Sequence, residues 1–500
     1  MEGVAIDSLF TIRRPKRGDS IRLVYITLFF AGRNKLHLLK FLEMSTKGNG
    51  PGFRFAFLLC LAFAVTSLRA EVRVLRGFTL IDGTGAAAAP NSAMIIDAGR
   101  IKWVGPVSAL KVPAGAQVVD LNGRFVIPGI IDLHGHLGLT SGMTLDTRSY
   151  SRQTVEHDLK TYAEYGVTTM LSLGLDGDAV FAVREQQRAS RPTMARVYTA
   201  GQGFAYKGGI GGSISFPGVS APVFSTVADV EPAVAEQARK HVDVIKFWTD
   251  DNLGKAKRMP FDIDKAIIDS AHRHGVRVVA HVYYLEDAKK LADYGIDGLA
   301  HIVRDKPVDQ ELIDSMKRHN TWQIASTLSR EVSLFIYAKT PDFVTDPFFT
   351  RGVSADVIKT LNSPEYQKKT ASDPNLEKYR EALAMGKRNL KALADGGVKY
   401  GMGTDTGVPG RFQGYFEHLE LQEMVEAGLT PMQAIVAATS SGAEFLKAKD
   451  LGSLRAGKWA DLVVLAKNPL DDIRNTHTIQ AVYIAGNQVY TKETSNDTNK

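Results

Sequence analysis

Two histidines, His134 and His136, close the apolar run Phe125-Val126-Ile127-Pro128-Gly129-Ile130-Ile131-Asp132-Leu133. Side chains two apart along a strand point to one face, so both imidazoles project from the end of a buried strand and can share a metal ion. Surface histidines fall two apart by chance. Here Pro128-Gly129 punctuates the strand start, and Gly135 lets the backbone approach a ligand closely. Four further residues have a similar placement. Lys246 lies in Val242-Asp243-Val244-Ile245-Lys246-Phe247-Trp248, His281 ends Arg277-Val278-Val279-Ala280, His301 ends Gly298-Leu299-Ala300, and Asp405 follows Tyr400-Gly401-Met402-Gly403-Thr404. Singly, each has a plain reading: a strand-end lysine reaching for water, two hydrogen-bonded core imidazoles, a helix-capping aspartate. Six such residues at the ends of five strands are hard to explain as independent accidents. Four imidazoles with carboxylate-type oxygens suit a borderline divalent ion such as zinc. An ammonium cannot ligate a metal, whereas a lysine carboxylated on its amine could bridge two cations through its carbamate oxygens.

The elements that must position these residues follow from periodicity. Helix-like runs at 155–165, 229–241, 263–274, 285–294, 309–319 and 378–396 alternate with strand-like runs at 166–172, 196–200, 242–248, 276–281, 299–303, 321–326 and 400–404. Strict alternation argues for a parallel sheet. With the His134 strand it gives eight strands, the number that closes a (β/α)8 TIM barrel of the α/β class. Two stretches, 201–225 and 329–375, are long for barrel loops and would lie at the catalytic rim or cover it. Short alternating strands with Asp82-Gly83 and Asn122-Gly123 turns fill 71–124, and the same texture returns only after residue 460. Both flanks therefore read as one small β-sandwich domain. Trp248, Tyr283 and Thr406 lie one or two residues beyond candidate ligands, where strands become rim loops. Tyr283 could hydrogen-bond a developing oxyanion or pack the barrel mouth. Arg304 could hold a substrate carboxylate or pair with Asp305 or Asp250. Asp250 and Asp251 read as a solvated loop, and His418 as structural.

With these motifs in place the chain resembles the amidohydrolase superfamily, specifically its binuclear members near the imidazolonepropionase-like and metal-dependent dipeptidase branch. The resemblance covers about residues 71–491. It rests on 128–136, Asp243-Val244-Ile245-Lys246, His281, His301, Gly403-Thr404-Asp405 and the C-terminal stretches 428–439 and 452–464. It implies that His134 and His136 hold a first divalent ion, His281 and His301 a second, and carboxylated Lys246 (N6-carboxylysine) bridges them. Asp405 would bind the first ion and accept a proton. The implied activity is amide hydrolysis by a hydroxide bridging two ions, zinc foremost, on a small molecule such as a dipeptide or N-acyl amino acid. Asp405 and Tyr283 would be catalytic, with Trp248 and Arg304 near the substrate. The rivals are a mononuclear deaminase or cyclic-amide hydrolase of the same superfamily, and a non-catalytic exported binding protein.

Five hundred residues exceed one ordinary core. The net charge of +7 would suggest nucleic acid, but its location removes that reading. Of 61 Lys and Arg and 54 Asp and Glu, 11 and 4 fall before residue 71, which leaves 50 of each in the rest. Lys47 and Arg54 precede the apolar run 55–65, followed by small residues Ser67 and Ala70, the pattern of an export signal. The run is too short to span a membrane, which needs ~20 residues. An uncleaved anchor is the alternative. The single cysteine, Cys60, lies inside this run behind the large Leu59, which excludes a lipid anchor, so the exported chain needs no disulfide. The expected division is 1–43 leader or over-extended start, 44–70 signal, 71–127 first part of the sandwich, 128–447 barrel, 448–491 second part, and 492–500 tail. The expected location is periplasmic or secreted, with no membrane contact after cleavage and an oligomer allowed.

Overall fold

The computed structural model describes residues 72–492 except 147, 149, 212–214, 217, 218 and 252. The leader at 1–43, the export signal at 44–70 and the tail from 493 onward lie outside the described residues.

Strands β1 (Arg73–Leu80), β2 (Ala89–Asp97), β3 (Arg100–Pro106), β4 (Gln117–Asp120) and β5 (Phe125–Pro128) come from the N-terminal flank. The parallel strands follow: β6 (Ile130–Gly135), β7 (Val167–Ser172), β8 (Arg196–Thr199), β9 (Val244–Trp248), β10 (Arg277–His281), β11 (Gly298–Ala300) and β12 (Trp322–Ala325). The C-terminal flank adds β13 (Leu462–Leu465), β14 (Ile479–Ile484) and β15 (Asn487–Thr491). The two flanks form one mixed sheet in the order β15-β14-β13-β5-β1-β2-β3, with β4 beside β1. Its seam is the antiparallel pair β13–β5, which sets Leu462 opposite Pro128 and Leu465 opposite Phe125. Period-two alternation divides the seam between two cores. Val126, Leu462 and Val464 pack with Leu75, Phe78 and Met94, while Ile127, Val463 and Leu465 join the large core beneath the helices. Pro128 thus belongs to the flank sheet, and Gly129 separates it from the first parallel strand.

The parallel strands form two sheets, β8-β7-β6 and β9-β10-β11-β12. Backbone hydrogen bonds link the sheets at both edges. On one side Asp243 N donates to Thr199 O at 2.8 Å and Phe204 N to Lys246 O at 2.8 Å. On the other, residues 399–405 run between β12 and β6: Gly401 N donates to Gln323 O at 3.0 Å and Leu133 N to Met402 O at 2.9 Å. The expected eighth strand at 400–404 is therefore present as an extended segment with isolated bridges rather than a paired strand. Crowding explains both its glycines and its irregularity. A Cβ on Gly401 would lie 2.5 Å from Leu133 Cδ1, and one on Gly403 would lie 2.6 Å from Ala325 Cβ and 2.9 Å from His134 N.

Helices α1 (Arg152–Glu164), α2 (Asp178–Ala189), α3 (Val230–Arg239), α4 (Phe261–Arg273), α5 (Leu285–Asp293) and α6 (Gln310–His319) alternate with the strands. After them come α7 (Leu328–Ser333), α8 (Leu376–Asp395) and α9 (Tyr415–Glu426). In α6 the Asp309 side chain caps Leu312 N at 3.1 Å, Leu312, Ile313 and Met316 are buried, and Asn320 ends the helix in the left-handed region. The expected loop 329–375 is broken into short helices, Pro347–Thr350, Ala355–Leu361 and Pro364–Ala371. Their signals are local: Asp346-Pro347 and Ser363-Pro364 each place a capping side chain before a first-turn proline, and Ser354 caps the third.

Candidate active site

The parallel strands and the 400–404 segment bring the six predicted ligands to one end of the fold. His134 lies in β6 and His136 one residue past it, Lys246 is central in β9, and His281 ends β10. His301 follows β11 and Asp405 follows the glycine-rich segment, both with positive φ, 65° and 63°. Such a backbone costs a non-glycine residue about 1–3 kcal/mol and persists where surroundings impose it.

The four imidazoles form a row, with ring centroids 5.5 Å apart for His136 and His134, 4.8 Å for His134 and His301, and 4.0 Å for His301 and His281. Asp405 Oδ1 lies 3.0 Å from His136 Nε2 and 3.5 Å from His134 Nε2. His134, His301 and Asp405 each offer a ligand atom within 4.8 Å of the others. Outer partners orient the rings: His136 Nδ1 lies 3.1 Å from Gly174 O, and His301 Nδ1 2.8 Å from Thr327 Oγ1. Donation from Nδ1 leaves the Nε2 lone pair free to coordinate. Burial pulls His134 and His301 well below the ordinary histidine value, so both favour the neutral form that can act as a ligand.

Lys246 is 1% exposed. Among the described residues its Nζ has no hydrogen-bond partner, and neither has His134 Nδ1. Burial, reinforced by Arg330 and opposed by Asp405 and Asp250, brings the Lys246 amine down to about 7. Its charge in turn acts on His134 and His281. Burial pushes Asp405 upward, but Arg411, His134 and His136 outweigh it and hold the carboxyl well below the usual range.

Several neighbours differ from expectation. Asp250, expected in a solvated loop, is buried with Oδ2 2.9 Å from His281 Nε2. Arg304 does not pair with Asp305 or Asp250. Its Nη1 donates to the carbonyls of Val282 and Ile302, both at 2.9 Å, and its Nε lies 3.1 Å from Glu331. Tyr283 lies over that guanidinium, 4.5 Å from ring centroid to carbon, so Arg304 is enclosed rather than presented to a ligand. The Trp248 ring is buried against Gly174, Gly203 and Gly211, where a Cβ on any of the three would strike it. His418 is structural, bonded to Thr476 and to Tyr165 O.

Four groups were not singled out from sequence. Asp132 accepts from His134 N at 2.8 Å and from Thr404 Oγ1 at 2.7 Å, and period two from His134 was its signal. Arg330 from α7 and Arg411 from a loop converge on Asp405, and Glu331, also on α7, pairs with Arg330 and Arg304. For Arg411 the signal was the turn Val408-Pro409-Gly410-Arg411, with proline second and a positive-φ glycine third.

Residues 125–489 match the family model described as Amidohydrolase family. Ochratoxinase of Aspergillus niger is 25% identical over 447 residues, 81% of this chain and 83% of that protein. The crystal structure of a putative prolidase from Bifidobacterium longum superposes with a TM-score of 0.66 at 28% identity, covering 84% of this chain and 95% of the other. A Xaa-Pro dipeptidase with methionine in its active site gives a TM-score of 0.66 at 22% identity, covering 84% and 100%.

Proposed function

We propose, from the premise that this chain belongs to the amidohydrolase family and is a hydrolase of carbon–nitrogen bonds, that it is an exported enzyme cleaving an amide bond in a small molecule, a dipeptide or N-acyl amino acid. In this reading the linked parallel sheets and the 399–405 segment are the (β/α)8 barrel, and the flank sheet is its small sandwich domain. The observation that carries the site assignment is the buried row of four imidazoles beside Asp405 and a Lys246 amine with no hydrogen-bond partner among the described residues. Burial holds His134, His281 and His301 below the ordinary histidine value. These rings, an orphaned His134 Nδ1 and an amine with no hydrogen-bond partner among the described residues suit a centre for two divalent ions, zinc by the chemistry of the donors.

His134, His136 and Asp405 would hold one ion and His281 and His301 the other, with Lys246 between them as its carbamate. The lowered amine value supports that modification, since the neutral amine adds to carbon dioxide and releases a proton. Bound ions of this kind supply a water of lowered pKa and a Lewis acid for the scissile carbonyl. Asp405 takes the proton of the attacking water and returns it to the departing nitrogen. Tyr283, kept protonated because burial raises its phenol, donates to the carbonyl oxygen as charge develops there. Asp132 holds the strand end through His134 N and the Asp405 loop through Thr404.

Incubating the purified protein with N-acyl amino acids, dipeptides and aminated heterocycles tests the reaction class. Release of a carboxylic acid with a primary or secondary amine is the expected result. Ammonia release from a ring carbon, with no acyl product from any amide, would assign the deaminase reaction instead.

A further inference from the structure

Asp405 shows different neighbours to its two carboxylate oxygens. Oδ1 faces His136 and His134, while Oδ2 receives Arg330 Nε at 3.2 Å and Nη1 of Arg411. Neither arginine has a part in the hydrolysis argued above, yet both are firmly placed. Arg330 rides on α7, whose first turn is gripped by the buried Glu420 carboxylate through Leu328 N at 3.0 Å and Ser329 N at 2.7 Å. Arg411 closes the Pro409-Gly410 turn, which Tyr337 pins by donating to Gly410 O at 2.5 Å, and its Nη1 also donates to the Asp405 carbonyl at 3.1 Å.

Arg330 and Arg411 both draw on Asp405 for counter-charge. Three guanidinium groups, those of Arg304, Arg330 and Arg411, share two carboxylates, Glu331 and Asp405. A third acid, Asp250, lies against His281 and also acts through its charge on Arg304 and Arg330. A guanidinium is costly to bury without a counter-charge, and sharing Asp405 with a cation would draw on the counter-charge of Arg330 and Arg411. Arg304 is closed off by two carbonyls, Glu331 and Tyr283. The side chains of Arg330 and Arg411 keep 15% and 16% exposure, against 3% for Arg304. They already hold a carboxylate oxygen, which is the chemistry they would offer a ligand.

We propose that Arg330 and Arg411 anchor a carboxylate borne by the substrate next to the scissile amide, so that the enzyme selects N-acyl amino acids and dipeptides over neutral amides. The proposal rests on the amide-hydrolase reading and transfers to these two residues the role that Arg304 cannot fill. Planar guanidinium groups suit a carboxylate because each can present paired N–H donors.

The test compares matched probes on the metal-loaded wild-type enzyme: N-benzoyl-L-phenylalanine, its C-terminal carboxamide, and 4-nitroacetanilide as an amide with no carboxylate. The expected result is a kcat/KM for the carboxylate on the order of 100-fold above that for the carboxamide, expressed mainly in KM. In Arg330→Met and Arg411→Met that ratio should fall at least tenfold, and Arg411→Lys should recover part of it. Equal turnover of the carboxylate and the carboxamide by wild type would overturn the anchor and leave amide hydrolysis standing. A ratio unchanged in both methionine variants would do the same. If no probe is hydrolysed, the amide-hydrolase reading fails and takes the anchor with it. The wild-type comparison needs no variant, so a misfolded substitution cannot obscure it.

Discussion

At Asp405 one carboxylate has two tasks, because Oδ1 faces the histidines and Oδ2 faces Arg330 and Arg411. Replacing it with asparagine keeps the shape but removes the proton acceptor. General acid–base catalysis contributes ~10²–10⁴-fold, so Asp405→Asn should lose at least 100-fold in kcat while its circular dichroism spectrum stays native. A variant within tenfold of wild type would place the proton elsewhere. The six candidate ligands were readable in the sequence because each lies within or just beyond a strand-like run, where a polar residue has to reach something. Arg330, Glu331 and Arg411 were not, since the short helix α7 and the turn at 408–411, rather than strand period, carry them to the site. Arg304 misled for the same reason: its position three residues past His301 suggested reach, and local carbonyls hold it instead.

Among elements, α9 does the least visible work in the sequence and the most in the site. Its Glu420 is buried and accepts from Ser326 Oγ and Ser329 Oγ as well as from two backbone amides at the start of α7. Its Glu417 accepts from Thr406 Oγ1 at 2.8 Å beside the Asp405 loop. Glu420→Ala would strand four donors, each costing about 1–3 kcal/mol when left buried and unpaired. Urea unfolding should show a loss of at least about 3 kcal/mol, and kcat should fall because Thr327 and Arg330 lose their support. A loss under 1 kcal/mol would mean that water replaces the carboxylate. The periodicity of α6 and of β7 to β10 was clear in the sequence. The 400–404 segment read as a strand but is too tightly wedged between β12 and β6 for a regular ladder, and only Gly401 and Gly403 hinted at it.

Across the whole molecule, the flank sheet and the central region meet around His477. Its ring stacks on Phe348 at 4.3 Å, and neighbouring Thr476 bonds His418 of α9. Burial is the main influence on His477 and brings it down to about 4. The folded protein therefore resists protonation that the unfolded chain accepts below about 6.5, so this ring's contribution is intact above pH 6.5 and lost as pH falls toward 4. The loss is about 3 kcal/mol. His477→Phe, which keeps the stack, should show a correspondingly shallower decline in unfolding free energy over that interval, and an unchanged slope would contradict the assignment. The pairing of the two flanks was foreshadowed by their shared strand texture, whereas the contacts at His477 involve residues too far apart in sequence to be read from it. In the proposed function this protein builds a two-ion centre around Lys246. That centre is tested most directly by counting metal in the intact protein and in Lys246→Ala by inductively coupled plasma mass spectrometry, alongside amide turnover. Two equivalents per chain are expected in wild type, at most one in the folded variant, with loss of most of the turnover. Two equivalents and wild-type rates in Lys246→Ala would contradict the two-ion centre.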